Sequence, residues 1–231
     1  MSAYTRDNPS PEYLEMVEMY STLHQEGAES ERKKDSKRSA AQTFPGKMLM
    51  EQATPIRDMI ARTGSQSLLD YGCGKGEAYQ LKDIELIDGE MVPSLQDYWK
   101  LENIHCYDPG YEPFSQLPTA QFDGVICIDV LEHITEPDLG WVIDELFSHA
   151  RRFVFATVAC YPAKKHLPNG QNAHCTVRPP PWWTGLIHGV AMRHTEVSYR
   201  FHLVTRTGPR KKLGGLYGKW TLEEQMIDRW A

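Results

Sequence analysis

The segment Leu68-Leu69-Asp70-Tyr71-Gly72-Cys73-Gly74-Lys75-Gly76 places three glycines at alternate positions directly after an apolar run. Glycine lets a backbone turn tightly and approach a ligand with no Cβ in the way. A helix that follows such a loop offers free N–H groups at its start. A dinucleotide fingerprint would need a further glycine at position 77, which is Glu77 here. A carboxylate there is a poor neighbour for a pyrophosphate but no obstacle to a ligand without phosphates. The chain also lacks a G-x-x-x-x-G-K-S/T loop, which excludes a P-loop. Asp108, before Pro109-Gly110, stands at the end of a second apolar run, where a carboxylate can accept both ribose hydroxyls of a nucleoside.

Histidines supply the proton chemistry. His133 follows the apolar run Phe122 to Ile128, and His166 and His174 lie in the long polar stretch Tyr161 to Pro181. Histidine is the usual side chain to take a proton near pH 7. His174 is preferred over His166 as a base, because Asn172 lies close enough to orient a ring or an acceptor hydroxyl. Tyr161, Asn172, Arg178 and Trp182 are the expected substrate contacts from the same region. Cys160, His166, His174 and Cys175 fall within sixteen residues, but their spacings match no zinc pattern, so no metal is expected. Between Arg193 and Lys219 there are seven basic residues and one acidic. That run reads as a solvated tail or as a contact for an anionic acceptor or nucleic acid.

The elements that must position these residues follow from periodicity. Ser67 to Tyr71, His105 to Asp108, Phe122 to Ile128 and Arg152 to Val158 read as strands, separated by helical stretches such as Asp138 to Ala150. That alternation predicts parallel βαβ units in a doubly wound, mostly parallel α/β sheet. Glu196 to Tyr199 and Phe201 to Thr205 read as a terminal antiparallel strand pair, and a helix is expected from Thr221. Ile84 to Asp97 reads as an inserted loop or short helix, accounting for the 32 residues between Gly76 and Asp108. Residues 1–54 are polar and read as a helical appendage, with one helix from Pro11 to Leu23 capped by Ser10. A second helix is expected from Met48 to Arg62. The expected units are therefore 1–54, a core of 55–207, and a basic tail of 208–231.

Composition sets the class. The chain has 231 residues, of which 41% are hydrophobic and 24% charged, ordinary for a globular protein. Its net charge of −6 argues against a protein that coats nucleic acid. There is no apolar run of membrane-spanning length and no apolar leader at the N-terminus. Five scattered cysteines with no C-x-x-C pair read as reduced thiols in a cytoplasmic protein.

LLDYGCGKG, then CYDPG, then FDGVICIDVLEHI together resemble the class I S-adenosylmethionine-dependent methyltransferase family over roughly residues 45–205. The resemblance implies S-adenosylmethionine as cofactor and S-adenosylhomocysteine as product. It places the methionine part on Asp70, Gly72, Cys73, Gly74 and Gly76, the ribose on Asp108, and the adenine and substrate side on Asp129, Val130 and the residues to His133. Phe44, in the turn Thr43 to Gly46, is expected to shield the cofactor. The family often has an acidic residue near adenine after its third strand, and Leu117 to Gln121 offers none. The implied activity is methylation of a hydroxyl on a small molecule or glycan. The alternatives are an RNA or protein methyltransferase using the basic stretch, and a non-catalytic cofactor-binding module. Thr157-Val158-Ala159-Cys160 lacks the Asn/Asp-Pro-Pro-aromatic motif of amino-nitrogen base methylation. Oligomeric state is left open.

Overall fold

The computed structural model describes residues 4–29, 37–38, 46–87, 89–208 and 221–231. Phe44, most of the charge run from Glu29 to Arg38 and the basic residues of 209–220 lie outside the described residues.

Six strands form one sheet: β1 (Ser67–Tyr71), β2 (Asn103–Tyr107), β3 (Phe122–Ile128), β4 (Ala150–Ala159), β5 (Ser198–Thr207) and β6 (Thr221–Arg229). Their order is β6-β5-β4-β3-β1-β2, and only β6 runs antiparallel to its neighbour. The central strands are apolar at consecutive positions because both sheet faces are covered. Leu68 and Leu69, Val125 and Ile126, and Phe153 and Val154 each send one side chain to each face. One face packs on helices α5 (Leu139–His149) and α6 (Pro180–Ala191), with Leu146, Phe147, Trp183 and Ile187 fully buried. The other packs on α3 (Ala53–Thr63) through Ile56 and Met59, and on α4 (Leu95–Trp99) through Trp99. Gly124 is forced by this packing, since a Cβ there would lie 2.2 Å from the Phe153 ring.

The segment before β2 is a folded insertion. Ile84–Glu85 pairs with Met91–Val92 as a short hairpin, and α4 follows with Ser94 as its cap. Its residues Ile84, Val92, Leu95 and Trp99 join the core, which explains the long interval before Asp108.

Three expectations change. Glu196 to Thr205 is not a strand pair: its residues from Ser198 on form the single strand β5, parallel to β4 through the α6 crossover. The antiparallel partner of β5 is Thr221–Arg229, where a helix was expected. Leu, Glu, Gln and Met favour a helix intrinsically, but a nine-residue ladder to β5 overrides that preference. Arg229 fixes the strand's end by donating to the carbonyls of Ala191 (2.9 Å) and Val197 (3.0 Å). Finally, the expected helix over Met48 to Arg62 is split at Gln52 into α2 (Lys47–Glu51) and α3. Pro55 has no N–H to bond the carbonyl one turn back, so it suits the first turn of a new helix.

Helix α1 (Pro11–Glu26) lies against the sheet, with Tyr13 and Met16 in the core. Its cap Ser10 is fully buried and donates its backbone N–H (3.0 Å) and hydroxyl (2.5 Å) to Asp138. Ahead of it, Arg6 pairs with Glu145 and donates to the Tyr107 hydroxyl (2.8 Å). Among the described residues no helix is long and apolar enough to cross a membrane, and all five cysteines are free thiols.

Candidate active site

Strand order reverses between β1 and β3, because the chain leaves β1 outward to β2 and returns on the other side. Such a switch point opens a crevice at the strands' carboxyl ends. A cavity of about 750 Å³ lies there, walled by α1, the glycine loop, the ends of β2 and β3, and the segment after β4.

The glycine loop owes its shape to backbone conformation. Gly72, Gly74 and Gly76 have φ of 84°, 59° and 62°, a region where side chains are disfavoured. The N–H groups of Gly72 (2.7 Å) and Cys73 (3.2 Å) both donate to the Tyr107 carbonyl, which ties the loop to β2. Gly74 N–H donates to Asp108 Oδ2 (2.9 Å), and Gly110 N–H to Asp108 Oδ1 (2.8 Å). Burial pushes the Asp108 carboxyl upward against the pull of His24 and these N–H groups. Asp70, at the end of β1, is buried and accepts from the Tyr79 hydroxyl (2.7 Å). Burial lifts its pKa to about 7 despite that hydrogen bond, with Asp108 adding to the rise.

Beyond β3 the chain turns sharply. Asp129 has φ 55°, a left-handed conformation that costs a non-glycine residue about 1 kcal/mol or more. Thr157 holds it there, accepting from the Asp129 N–H (2.9 Å) and donating to its Oδ1 (3.2 Å). Glu132 is fully buried; its Oε1 accepts the Ala159 N–H (2.8 Å) and its Oε2 has no partner among the described residues. Burial raises its carboxyl well above the ordinary range.

The segment after β4 brings in the second histidine. Asn172 acts as its clamp: Oδ1 accepts from Ala163 N–H (2.9 Å) and His174 N–H (3.0 Å), while Nδ2 donates to the Ala163 carbonyl (2.9 Å). His174 Nδ1 lies 2.6 Å from the Tyr161 carbonyl, and His133 Nδ1 lies 2.6 Å from the Ala173 carbonyl. A carbonyl only accepts, so each Nδ1 carries the proton and each Nε2 the lone pair. The rings sit edge to face with centroids 4.8 Å apart. The Tyr20 hydroxyl approaches His133 Nδ1 at 2.6 Å. Burial, helped by His174, drops the His133 pKa to about 3, and burial lowers His174 as well. Both imidazoles are therefore neutral lone-pair donors near pH 7, poorly matched to free proton acceptance.

Most of the sequence-predicted residues meet in this one cavity. Asp70, Gly72, Cys73, Gly74, Gly76, Asp108, Asp129, Val130, His133, Tyr161, His166 and His174 all line it. Three expected substrate contacts do not. Asn172 is spent on the loop clamp, Arg178 pairs with Glu136 at the surface (2.8 and 2.5 Å), and Trp182 packs against the core beside Trp183. Phe44 lies outside the described residues. Sequence reasoning missed His24, Tyr79 and Arg206, which line the cavity together with Tyr20 of the α1 stripe and the loop cations Lys164 and Lys165. His24 continues the Tyr13–Tyr20 stripe of α1 by one turn, which was the available signal. Nothing in the sequence foretold Arg206, because β5 was read with different bounds.

A deep apolar crevice with converging polar groups at a sheet switch point is the geometry of a small-molecule enzyme site. The sequence comparison agrees. This chain is similar to a methyltransferase. The relative is the ubiquinone biosynthesis O-methyltransferase of Bordetella avium (strain 197N), 23% identical over 141 residues. The match covers 52% of this chain and 58% of that protein's length. No family model matches the chain, and no solved structure matches it.

Proposed function

We propose that this protein is an S-adenosylmethionine-dependent methyltransferase that methylates a hydroxyl group of a small molecule or glycan. The observation that carries the reading is one cavity with two unlike ends. The glycine loop and Asp108 stand at one, and the paired imidazoles of His133 and His174 at the other. The residues fit the cofactor. Backbone N–H groups bond both oxygens of Asp108 and aim the carboxylate, whose remaining acceptor capacity suits a ribose hydroxyl. Asp70 adds a carboxyl for the cofactor's ammonium group, and Asp129 and Val130 border the adenine side.

When bound, the cofactor supplies an already activated methyl group on a positively charged sulfur. The chain's own task is then alignment and exclusion of water. The Nε2 lone pairs of His133 and His174 orient the acceptor hydroxyl toward that methyl group, with His166 and Tyr161 beside them. Helix α1 walls the site and serves as its lid. Lys164, Lys165 and Arg206 favour an acceptor that carries negative charge. The same cations support the second reading, an RNA or protein methyltransferase using the basic C-terminal stretch. A cytoplasmic location agrees with five free thiols.

Calorimetry with S-adenosylhomocysteine, S-adenosylmethionine and NAD tests the reading. The first two are expected to bind with one site per chain and NAD not at all. NAD binding without a response to either adenosyl ligand overturns it.

A further inference from the structure

Glu132 ends in an oxygen that no described residue satisfies. Its other oxygen has a clear duty, accepting the Ala159 N–H at the end of β4. Among the described residues Oε2 is buried without a partner, a state that native proteins avoid unless a site needs it. The two imidazoles stand beside the carboxylate. One ligand atom from each of Glu132, His133 and His174 lies within 4.8 Å of the others. With metal–ligand bonds of about 2.0–2.2 Å, one ion closes that set after side-chain shifts of under about 1 Å.

The hydrogen bonds behind the rings point the same way. Ligating histidines characteristically donate their other N–H to a carbonyl or carboxylate, which fixes the tautomer and aims the lone pair. Here both Nδ1 atoms meet backbone carbonyls of one segment, at Ala173 and Tyr161, which leaves a lone pair on each Nε2. A purely structural role for Glu132 explains Oε1 and leaves Oε2 and the matched imidazole tautomers unexplained. Charge is compatible: Asp129 lies near both His174 and Glu132, and offsets Lys165 near His133.

We propose that Glu132, His133 and His174 bind one divalent transition-metal ion, leaving an open coordination position toward the cavity. Two imidazoles and one carboxylate suit Zn²⁺ or its first-row neighbours better than Mg²⁺ or Ca²⁺, which prefer all-oxygen sets. Three protein ligands with one open position is the pattern of a catalytic rather than a structural site. The ion's function rests on the methyl-transfer reading. With the ion bound, an acceptor hydroxyl at the open position would be acidified and held facing the cofactor, its proton passing to bulk solvent before the site closes. The two imidazoles then orient the hydroxyl through the ion rather than by direct contact, and no free imidazole is needed as base.

The test uses the full chain, stripped with a chelator and titrated with Zn²⁺ by calorimetry and with Co²⁺ by visible absorption. One equivalent per chain is expected, with the ligand-field spectrum of a nitrogen–oxygen site. Loss of a second-shell partner alone costs 10–100-fold in affinity. His174→Ala and Glu132→Gln should therefore each weaken Zn²⁺ binding by about 100-fold or more. His188→Ala, at an exposed histidine on α6, should change nothing. If Glu132→Gln fails to fold by circular dichroism, His174→Ala decides, since His174 is less buried. Binding well below one equivalent, or binding that survives His174→Ala, overturns the site. S-adenosylhomocysteine is titrated separately into the stripped protein, so failure of the cofactor reading is told apart from failure of the metal site.

Discussion

Val130 closes directly over Gly72: a Cβ added to Gly72 would lie 2.4 Å from Val130 Cγ2. The turn after β3 and the loop after β1 are thus one interlocked unit, and Gly72 also sits at φ 84°. Gly72→Ala is expected to cost about 2–4 kcal/mol, from the left-handed backbone and the clash together. The clash is relieved when Val130 is cut back, but the backbone strain is not. In urea unfolding, Gly72→Ala with Val130→Ala should cost at least about 0.5 kcal/mol less than the two single changes added. Simple additivity would separate the two residues.

Asp108 holds the glycine loop through Gly74 and its own turn through Gly110. Hydrogen bonds to a charged group contribute roughly 1.5–3 kcal/mol each. Asp108→Ala should weaken S-adenosylhomocysteine binding by about 30-fold, equivalent to about 2 kcal/mol. Asp108→Asn keeps one acceptor oxygen and should fall between. Unchanged calorimetric affinity in both would remove Asp108 from the binding site.

Burial, with the Asp108 carboxyl nearby, pushes the Asp70 pKa up to about 7. A ligand that brings an ammonium group next to it lowers that pKa, so binding must release a proton near neutrality. Affinity for S-adenosylhomocysteine should then rise from about pH 6 to about pH 8, and the binding heat should depend on the buffer's ionisation enthalpy. Asp70→Asn should abolish the buffer dependence. A binding heat independent of buffer in the wild-type protein would place the ammonium elsewhere.

Asp138 receives four donors: Ser10 N–H and Oγ, Thr135 Oγ1 and Trp141 Nε1. Those from Ser10 and Thr135, and that from Trp141, outweigh burial and hold its carboxyl below the ordinary value of 3.8. A depressed carboxyl stabilises the fold above its unfolded value and loses that contribution as pH falls through its folded one. Wild-type stability should therefore drop on acidification below about pH 4, and Asp138→Asn should lose about 2–3 kcal/mol at neutral pH while showing a shallower acid slope. Parallel acid slopes in urea unfolding would show that other carboxylates govern the drop.

The parts legible in the sequence were those fixed by short-range chemistry. Alternate glycines after Leu68-Leu69-Asp70-Tyr71 could only follow a buried strand, and Ser10-Pro11 marked the start of α1 to the residue. Apolar runs that could not face water gave the central strands. What stayed hidden depends on distant partners. Thr221–Arg229 has helix-forming residues and becomes a strand only because β5 offers it an edge. Asn172 and Arg178 looked like substrate contacts because a polar residue in a loop shows no sign of the backbone groups or the Glu136 it will meet. His133 stood out with Glu132 in the stretch Asp129 to His133, but His174 grouped by sequence with Cys160, His166 and Cys175 rather than with that stretch. The segment after β4 joins His174 to Glu132 and His133 from 41 residues away.

Helix α1 is the first element of the chain, yet its cap is completed by Asp138 and its lead-in is held by Glu145, contacts spanning 128 and 139 residues. Synthesis therefore produces this wall of the cavity long before anything exists for it to rest on. Closing so long a loop costs entropy that only the finished sheet can repay, so α1 docks last. The reverse also holds: α1 is the element that can peel away with least damage to what remains. A ligand sealed beneath Tyr20 and His24 would then act as a second fastener for the amino terminus. Amide exchange in α1 should slow when the cavity is filled, while exchange in β1 and β3 stays as it was.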